Sequence, residues 1–493
     1  MNILLVYPEF PDTFWSFKHA LKFVLKKASS PPLGLITVAA MLPENWAKKL
    51  IDLNVEELKD ADILWADLVF VGAMVVQRQS ALEVIERCKQ LNATIVAGGP
   101  LFTGEHEIFD LVDHFVLNEA EITLPEFLHD LEVGSPKHIY QTSEYADMTT
   151  TPTPLWDLVK TNKYDSLSIQ FTRGCPFNCD FCNITSLLGR SVRTKTAKQI
   201  ITELDRIYAK GWRRSIFFVD DNFIGNKKIL KEEVLPALIE WRKGKIGCSF
   251  ITEASINLAD DNILMQMMTD AGFRSVFVGI ETPDEESLAE CHKSQNKNRN
   301  LISSVKKLQR AGLQVMGGFI VGFDNDSPTI FRRQIEFIQQ SGIVTAMVGL
   351  LQAPNGTLLY QRLQNEGRLL EEMSGDNSDG STNIIPKMDI EELTRGYHNI
   401  LQQIYSPRPF YERVRTFLKE YRPQKTSVRI APEEVYALGR SIFQLGIKNK
   451  ERLQFWRLFF WSLFNCPEKF PLAITFAIYG YHFRKVFELN MMS

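Results

Sequence analysis

The chain carries no surplus of charge: 56 Lys and Arg against 59 Asp and Glu leave its 493 residues with a formal net charge of −3. Without a long basic run, that balance speaks against a dedicated nucleic-acid binder. It also has no unbroken stretch of the roughly twenty apolar residues that a membrane-spanning helix needs. Even the aromatic tail holding Phe455, Trp456, Phe459, Phe460, Trp461, Phe464 and Phe476 is interrupted by Pro467, Glu468, Lys469 and Pro471. The opening Met1-Asn-Ile-Leu-Leu-Val-Tyr-Pro8 has neither the basic start nor the longer apolar core of a secretion signal, so a cytoplasmic location is expected. The turn after that run lacks the GxGxxG of dinucleotide-binding sheets. Cysteine is scarce, seven in all, and scattered thiols in a chain of this size and expected compartment do not make a disulfide framework.

Three of those cysteines stand together. Cys175, Cys179 and Cys182 form a CxxxCxxC run directly after an apolar, strand-like segment, in a loop made tight by Gly174, Pro176 and Asn178. A closed zinc site needs four ligands, and no further Cys or His follows within thirty residues. The spacing therefore favours an iron–sulfur cluster with one iron left for another ligand. Cys88, Cys248, Cys291 and Cys466 read as buried packing residues.

The run resembles the signature of the radical S-adenosylmethionine (SAM) enzymes, including the aromatic Phe181 before the last cysteine. The resemblance implies a 4Fe–4S cluster on Cys175, Cys179 and Cys182, with SAM on the fourth iron. It also implies reductive cleavage of SAM to a 5′-deoxyadenosyl radical, fed by an external electron donor of flavodoxin or ferredoxin type.

Three blocks follow from the apolar pattern, at 1–145, 146–386 and 387–493. In the first, strand candidates at Ile3–Tyr7, Leu50–Leu53, Leu68–Val76, Thr94–Gly98 and His114–Leu117 alternate with helical stretches such as Ser80–Leu91. This α/β pattern predicts a doubly wound, Rossmann-like parallel sheet with ligands at its strand carboxyl ends. In the second, six apolar runs from Leu167–Phe171 to Ala346–Leu351 are separated by helical patterns such as Ala197–Ala209 and Ile229–Trp241. They predict a (βα)6 partial TIM-like barrel with the cysteine loop on its active rim. The third predicts an α-helical C-terminal domain over Ile390–Ile404, Arg408–Tyr421 and Pro432–Leu445, with basic residues in excess of acidic ones. Its aromatic and basic residues suit a packing cap or a peripheral membrane contact.

The stretch Pro31-Pro-Leu-Gly34, with Gly98-Gly-Pro100 and Glu119-Ala-Glu121, looks like the cobalamin-binding domain of one large radical SAM subclass. That resemblance implies cobalamin contacts from Pro32, Leu33, Gly34, Gln77, Gly98, Gly99 and Glu119. The DxHxxG motif is absent, His19 reads as a packing residue, and Asn118 stands where glycine is common. On the barrel rim, the family likeness makes Asp220, Asp221, Asn222, Glu253, Gly279 and Glu281 candidates for SAM, with Phe181 beside the cluster. Arg173 and Arg190 are open between a SAM carboxylate and structural ion pairs. Leu351–Thr357 is expected to close the rim.

These resemblances, with the helical extension similar to that of hopanoid methylases, imply a cobalamin-dependent radical SAM enzyme that methylates an unactivated carbon. The expected substrate is an apolar small molecule: lipid-like, tetrapyrrole or specialised metabolite. Radical chemistry without methyl transfer (rearrangement, cyclisation or sulfur insertion) is the alternative, with tRNA methylthiotransferase and non-catalytic cobalamin sensor further off.

Overall fold

The computed structural model describes residues 1–370, 373–424 and 432–490. Its first sheet comprises β1 (Asn2–Tyr7), β2 (Ala47–Asp52), β3 (Leu68–Gly72), β4 (Ile95–Gly98), β5 (His114–Val116) and β6 (Ile139–Tyr140). All pairs are parallel in the order 2-1-3-4-5-6. The order reverses at β1, so the sheet is doubly wound, and a cleft opens where the connections diverge. Ile3, Leu4, Leu5 and Val6 are fully buried, as a continuous apolar run requires when helices cover both faces. Helix Arg78–Gln90 meets the sheet through Ala81, Val84, Ile85 and Cys88, one face at helical spacing. Strand β6, only two residues long, was not among the expected strands.

The second sheet begins with β7 (Leu167–Ile169). A small antiparallel pair follows, β8 (Thr172–Arg173) with β9 (Arg193–Thr194). Then come β10 (Ser215–Phe218), β11 (Ser249–Glu253), β12 (Phe273–Glu281), β13 (Gln314–Val321) and β14 (Ala346–Leu350). Strands β7, β10, β11, β12, β13 and β14 lie side by side in chain order and all parallel, the (βα)6 arrangement expected. Every carboxyl end consequently reaches one rim. The connecting helices are well specified locally. Ala197–Ala209 opens on a reciprocal cap, with Gln199 N donating to Thr196 Oγ1 (3.2 Å) and Thr196 N to Gln199 Oε1 (2.9 Å). The expected Ile229–Trp241 helix runs from Lys227 to Arg242 but widens to a π-turn over Leu230–Val234, ahead of Pro236, which lacks an N–H for the regular ladder.

Side chains alternate across this sheet. Ile216, Phe218, Phe250, Val276, Val278 and Val348 are sealed beneath the helices. The opposite set, Phe217, Ile251, Phe277, Met316 and Met347, is only half-buried and lines the barrel interior with accessible apolar surface.

Helices Ile390–Tyr405, Pro407–Glu420, Pro432–Ser441, Arg452–Asn465 and Phe470–Asn490 follow. They dock on the last barrel strand through Tyr405, whose hydroxyl donates to Ala346 O (2.7 Å). They also reach the loop after β1, where Phe14 stacks on Phe483 at 4.2 Å. Among the described residues, no helix is long and apolar enough to cross a membrane.

Candidate active site between two sheet rims

Residues 174–192 form the cysteine loop, closed at its base by the β8–β9 pair. Gly174 begins it at φ +89°, and a Cβ there would come within 2.6 Å of Ser191 O, so only glycine fits. Inside the loop, Cys175 N donates to Gly189 O (3.2 Å) and Cys182 N to Cys179 O (3.1 Å). The stretch after β14 lies against it: Ser186 Oγ donates to Gly356 O (2.6 Å) and Leu359 N to Asp180 O (3.0 Å). All three cysteines are half-buried and free, and burial pushes the Cys182 thiol up to about 12. Among the described residues, no three His, Cys, Asp or Glu side chains converge on one ion position. Three free, half-buried thiols on one tight loop supply the donors of a cluster that leaves one iron for another ligand.

Polar groups from the barrel surround these sulfurs. Asn222 Nδ2 stands 4.0 Å from Cys175 Sγ and Gln295 Nε2 3.7 Å from Cys179 Sγ. Lys293 is enclosed, paired with Glu281 at 2.6 Å, and its ammonium lies 5.8 Å from the centre of the Phe181 ring. Its charge acts on both Cys179 and Cys182. Lys293 and Gln295 escaped the sequence reading, because single polar residues in the loop after β12 carry no pattern.

Both arms of the cysteine loop are tied to the first sheet. Arg173 contacts Glu119 (2.9 Å) and Glu121 (2.8 Å), and Arg193 contacts Glu119 (2.6 Å). The two glutamates start helix Ala120–Glu132 just beyond β5, so the carboxyl rims of the two sheets face each other here. Arg173 is thus a structural ion pair, while Arg190 is exposed beside Pro176 and Phe177. A second bridge comes from the loop after β1. Trp15 meets Phe277 edge-on at 5.5 Å, and its Nε1 donates to Met347 Sδ (3.0 Å), within the barrel's half-buried apolar row.

Asp220 is completely buried and accepts the backbone N–H of Phe171 (3.2 Å) and of Thr172, fixing the strand end that launches the cysteine loop. Burial raises it to about 7. Asp221 is raised to about 6 by burial, and Glu253 to about 8 by burial and then by Asp221 and Asp220. Glu253 lies deep in the barrel yet keeps contact with solvent; its backbone carbonyl accepts from Phe223 N (2.9 Å), while no hydrogen bond or ion pair reaches its carboxylate among the described residues. These carboxylates form an acidic floor on which Lys293, already paired with Glu281, only partly offsets the rise at Glu253. Gly279 is held by Asn296 Nδ2, which donates to its carbonyl (3.0 Å), and Glu281 takes φ +64°, an uncommon conformation for a non-glycine residue.

On the opposite rim, Gly72 at the end of β3 abuts Leu35, which sets Pro32, Leu33 and Gly34 at the start of helix Leu33–Met41. Gly34 is exposed, and a Cβ there would meet nothing within 4 Å. Gly98 faces Val116 O, 2.6 Å from where a Cβ would be, and Gly99 takes φ +95°. Gln77 is a clasp between loops: its Nε2 donates to Pro8 O (2.5 Å) and its Oε1 accepts from Met74 N (2.9 Å). Asn118, at φ +62°, fills a left-handed position that glycine would otherwise suit. His19 packs 5.7 Å from the His482 ring and 3.5 Å from Asp12.

Residues 169–338 match the Radical SAM superfamily. A hopanoid C-2 methylase of Rhodopseudomonas palustris is 33% identical over 92% of this chain and 88% of its own length. The chain belongs to the radical SAM superfamily. An uncharacterized methyltransferase of Synechocystis is 42% identical over 99% of this radical SAM enzyme and 92% of that protein. Residues 357–492 match the Domain of unknown function DUF4070, which takes in the C-terminal helices. Among solved structures, the cobalamin-dependent SAM radical enzyme OxsB, with aqua-cobalamin and SAM bound, aligns with a TM-score of 0.64 at 15% identity. That alignment covers 100% of this chain and 80% of OxsB, and at such identity it establishes a shared fold. As a radical SAM enzyme the protein works with a 4Fe–4S cluster and SAM.

Proposed function

We propose that this radical SAM enzyme is a cobalamin-dependent C-methyltransferase acting on a lipid-like, polycyclic or long-chain apolar substrate. The facing of the two rims carries the reading: Arg173 and Arg193 fasten the cysteine loop to the carboxyl edge of a sheet that could hold a corrinoid. The names of the methylase relatives and the cobalamin-bound neighbour support the same assignment.

Cys175, Cys179 and Cys182 would hold the cluster, and the Asn222 and Gln295 amides are placed to donate toward its sulfurs. Asp221 and Glu253, neither of them in an ion pair among the described residues, suit the amine and sulfonium of SAM, while Gly279 leaves room for the Glu281 and Lys293 side chains that its Cβ would meet. Asp220 and Glu281 act from behind, the first on the loop backbone and the second through Lys293. Pro32, Leu33, Gly34, Gln77, Gly98 and Gly99 would shape the corrinoid bed, while Glu119 serves it indirectly by holding both arginines. Phe277, Met316 and Met347 would shield the space between the rims from water and accept an apolar substrate. When bound, cluster and SAM supply a 5′-deoxyadenosyl radical that takes hydrogen from an unreactive carbon, and methylcobalamin supplies the methyl group.

Anaerobic purification with iron, sulfide and corrinoid quantification, followed by turnover with SAM and a flavodoxin-type reductant, tests this. The expected outcome is corrinoid bound alongside the cluster, with 5′-deoxyadenosine and S-adenosylhomocysteine formed together and a substrate gaining one methyl. Deoxyadenosine without corrinoid or S-adenosylhomocysteine would mean radical chemistry without methyl transfer. Retained deoxyadenosine formation after replacing all three cysteines by Ala would sink the cluster assignment.

A further inference from the structure

We propose that the C-terminal helices form a docking face for the surface of a bilayer containing anionic phospholipid. Helix Arg452–Asn465 buries Phe455, Leu458 and Ser462 against the protein. Its other side leaves Phe460 50% and Phe464 77% exposed. These rings are not scattered: Phe460 stacks on Trp456 at 5.5 Å and on Phe464 at 6.4 Å. The preceding turn adds Phe443 and Ile447, 50% and 55% exposed, and Trp456 Nε1 joins it to the helix by donating to Gly446 O (2.9 Å). Contiguous exposed aromatic surface of this kind marks an interaction site.

Charge decides what covers it. The exposed charged side chains between residues 442 and 465 are Lys448, Lys450, Arg452 and Arg457, all basic. The one acid in that span, Glu451, is buried and paired with Arg484 at 2.6 Å. Lys448 lies over the Phe443 ring at 4.6 Å, its stem along the apolar surface and its ammonium at the edge. Rings that enter the headgroup layer, with basic groups reaching out to phosphates, are the chemistry of an interfacial anchor. A second copy of the chain would set this basic face against itself, which like-charge repulsion opposes. The face would lie on the bilayer rather than span it. Such docking is independent of the reaction, although with the substrate class proposed above it would bring the enzyme to where an apolar substrate resides.

The test is sedimentation of the full-length protein with vesicles of phosphatidylcholine alone, or of phosphatidylcholine mixed with phosphatidylglycerol. Binding is expected to the mixed vesicles and to weaken with salt. The Phe460→Ser/Phe464→Ser pair should lower partitioning by about tenfold or more. Lys450→Glu/Arg457→Glu should lower it by about fivefold for each charge removed, on the mixed vesicles only. All four positions are exposed, and unchanged thermal unfolding would show the fold intact. Absence of vesicle binding, or binding that neither pair alters, would overturn the proposal. So would a dimer in light scattering that Phe464→Ser dissociates, which would give the face to a second copy.

Discussion

Lys293 Nζ lies 2.6 Å from Glu281 Oε1, and this enclosed ion pair meets the cysteine loop from inside the barrel. A cation beside a cluster stabilises its reduced, more negative form. Lys293→Met is therefore expected to lower the cluster midpoint potential by tens of millivolts, and Glu281→Gln to raise it, in a titration followed by electron paramagnetic resonance. Either single change leaves a buried charge unpaired and should lower the melting temperature. The double variant should recover stability without recovering the wild-type potential. Unchanged potentials in both singles would leave Lys293 a purely structural residue.

The Arg173 clamp makes a different prediction, about how the two sheets hold together. Arg173→Met strands Glu121 and leaves Glu119 to Arg193 alone, in a pocket where the two side chains are only 6% and 4% exposed. Breaking such a buried network costs about 3–5 kcal/mol, measurable by urea unfolding. Burial raises the Glu121 carboxyl, but the hydrogen bond and charge of Arg173 outweigh it and hold the group below its usual range. A carboxyl depressed in the folded state contributes stability above its unfolded pKa and loses it as pH falls through the folded value. The wild type should thus lose more stability than Arg173→Met on acidification. Equal acid sensitivity would count against the clamp.

Two glycines on the first rim separate structure from ligand contact. Gly98→Ala drives a Cβ into Val116 O and should destabilise the protein by about 1–3 kcal/mol, whether or not cobalamin is present. Gly34→Ala meets open space in a helix and should be neutral, or stabilising by up to about 1 kcal/mol. If Gly34 lies against the corrinoid, this benign variant should nonetheless bind less of it, read from the visible absorbance of the purified protein. Full corrinoid occupancy in Gly34→Ala would remove that residue from the contact surface.

Much of this architecture was legible because its strands are covered on both faces. Buried parallel strands appear as continuous apolar runs, and Ile3–Tyr7 and Ala346–Leu351 differ from the observed strands by one residue. The cysteine loop announced itself through ligand spacing. What could not be read locally rests on contacts between distant residues. The β8–β9 pair is two residues per strand and is braced by Arg193 reaching Glu119, 74 positions away. Asp220 gives no sign in sequence that its carboxylate is occupied by backbone N–H groups of β8 and the residue before it. The apolar interior of the barrel emerges only once the strand register aligns Phe277 with Met316 and Gly318 with Met347.

Glu253 gives the last prediction, in pH. Burial, then the neighbouring Asp221 and Asp220, raise its carboxyl to about 8, against an ordinary value of 4.5. A folded-state pKa raised in this way favours folding below the unfolded value, and the benefit disappears as pH rises through the folded one. Without SAM, the wild type should therefore lose stability relative to Glu253→Gln as pH climbs from the ordinary 4.5 to about 8, with the difference levelling off above about 8. With the cationic centre of SAM against this carboxylate, ionisation becomes favourable, so binding at neutral pH should release a proton. Calorimetric titrations in two buffers of different ionisation enthalpy measure that release directly. The wild type should give up more protons than Glu253→Gln, and equal release would place SAM away from Glu253.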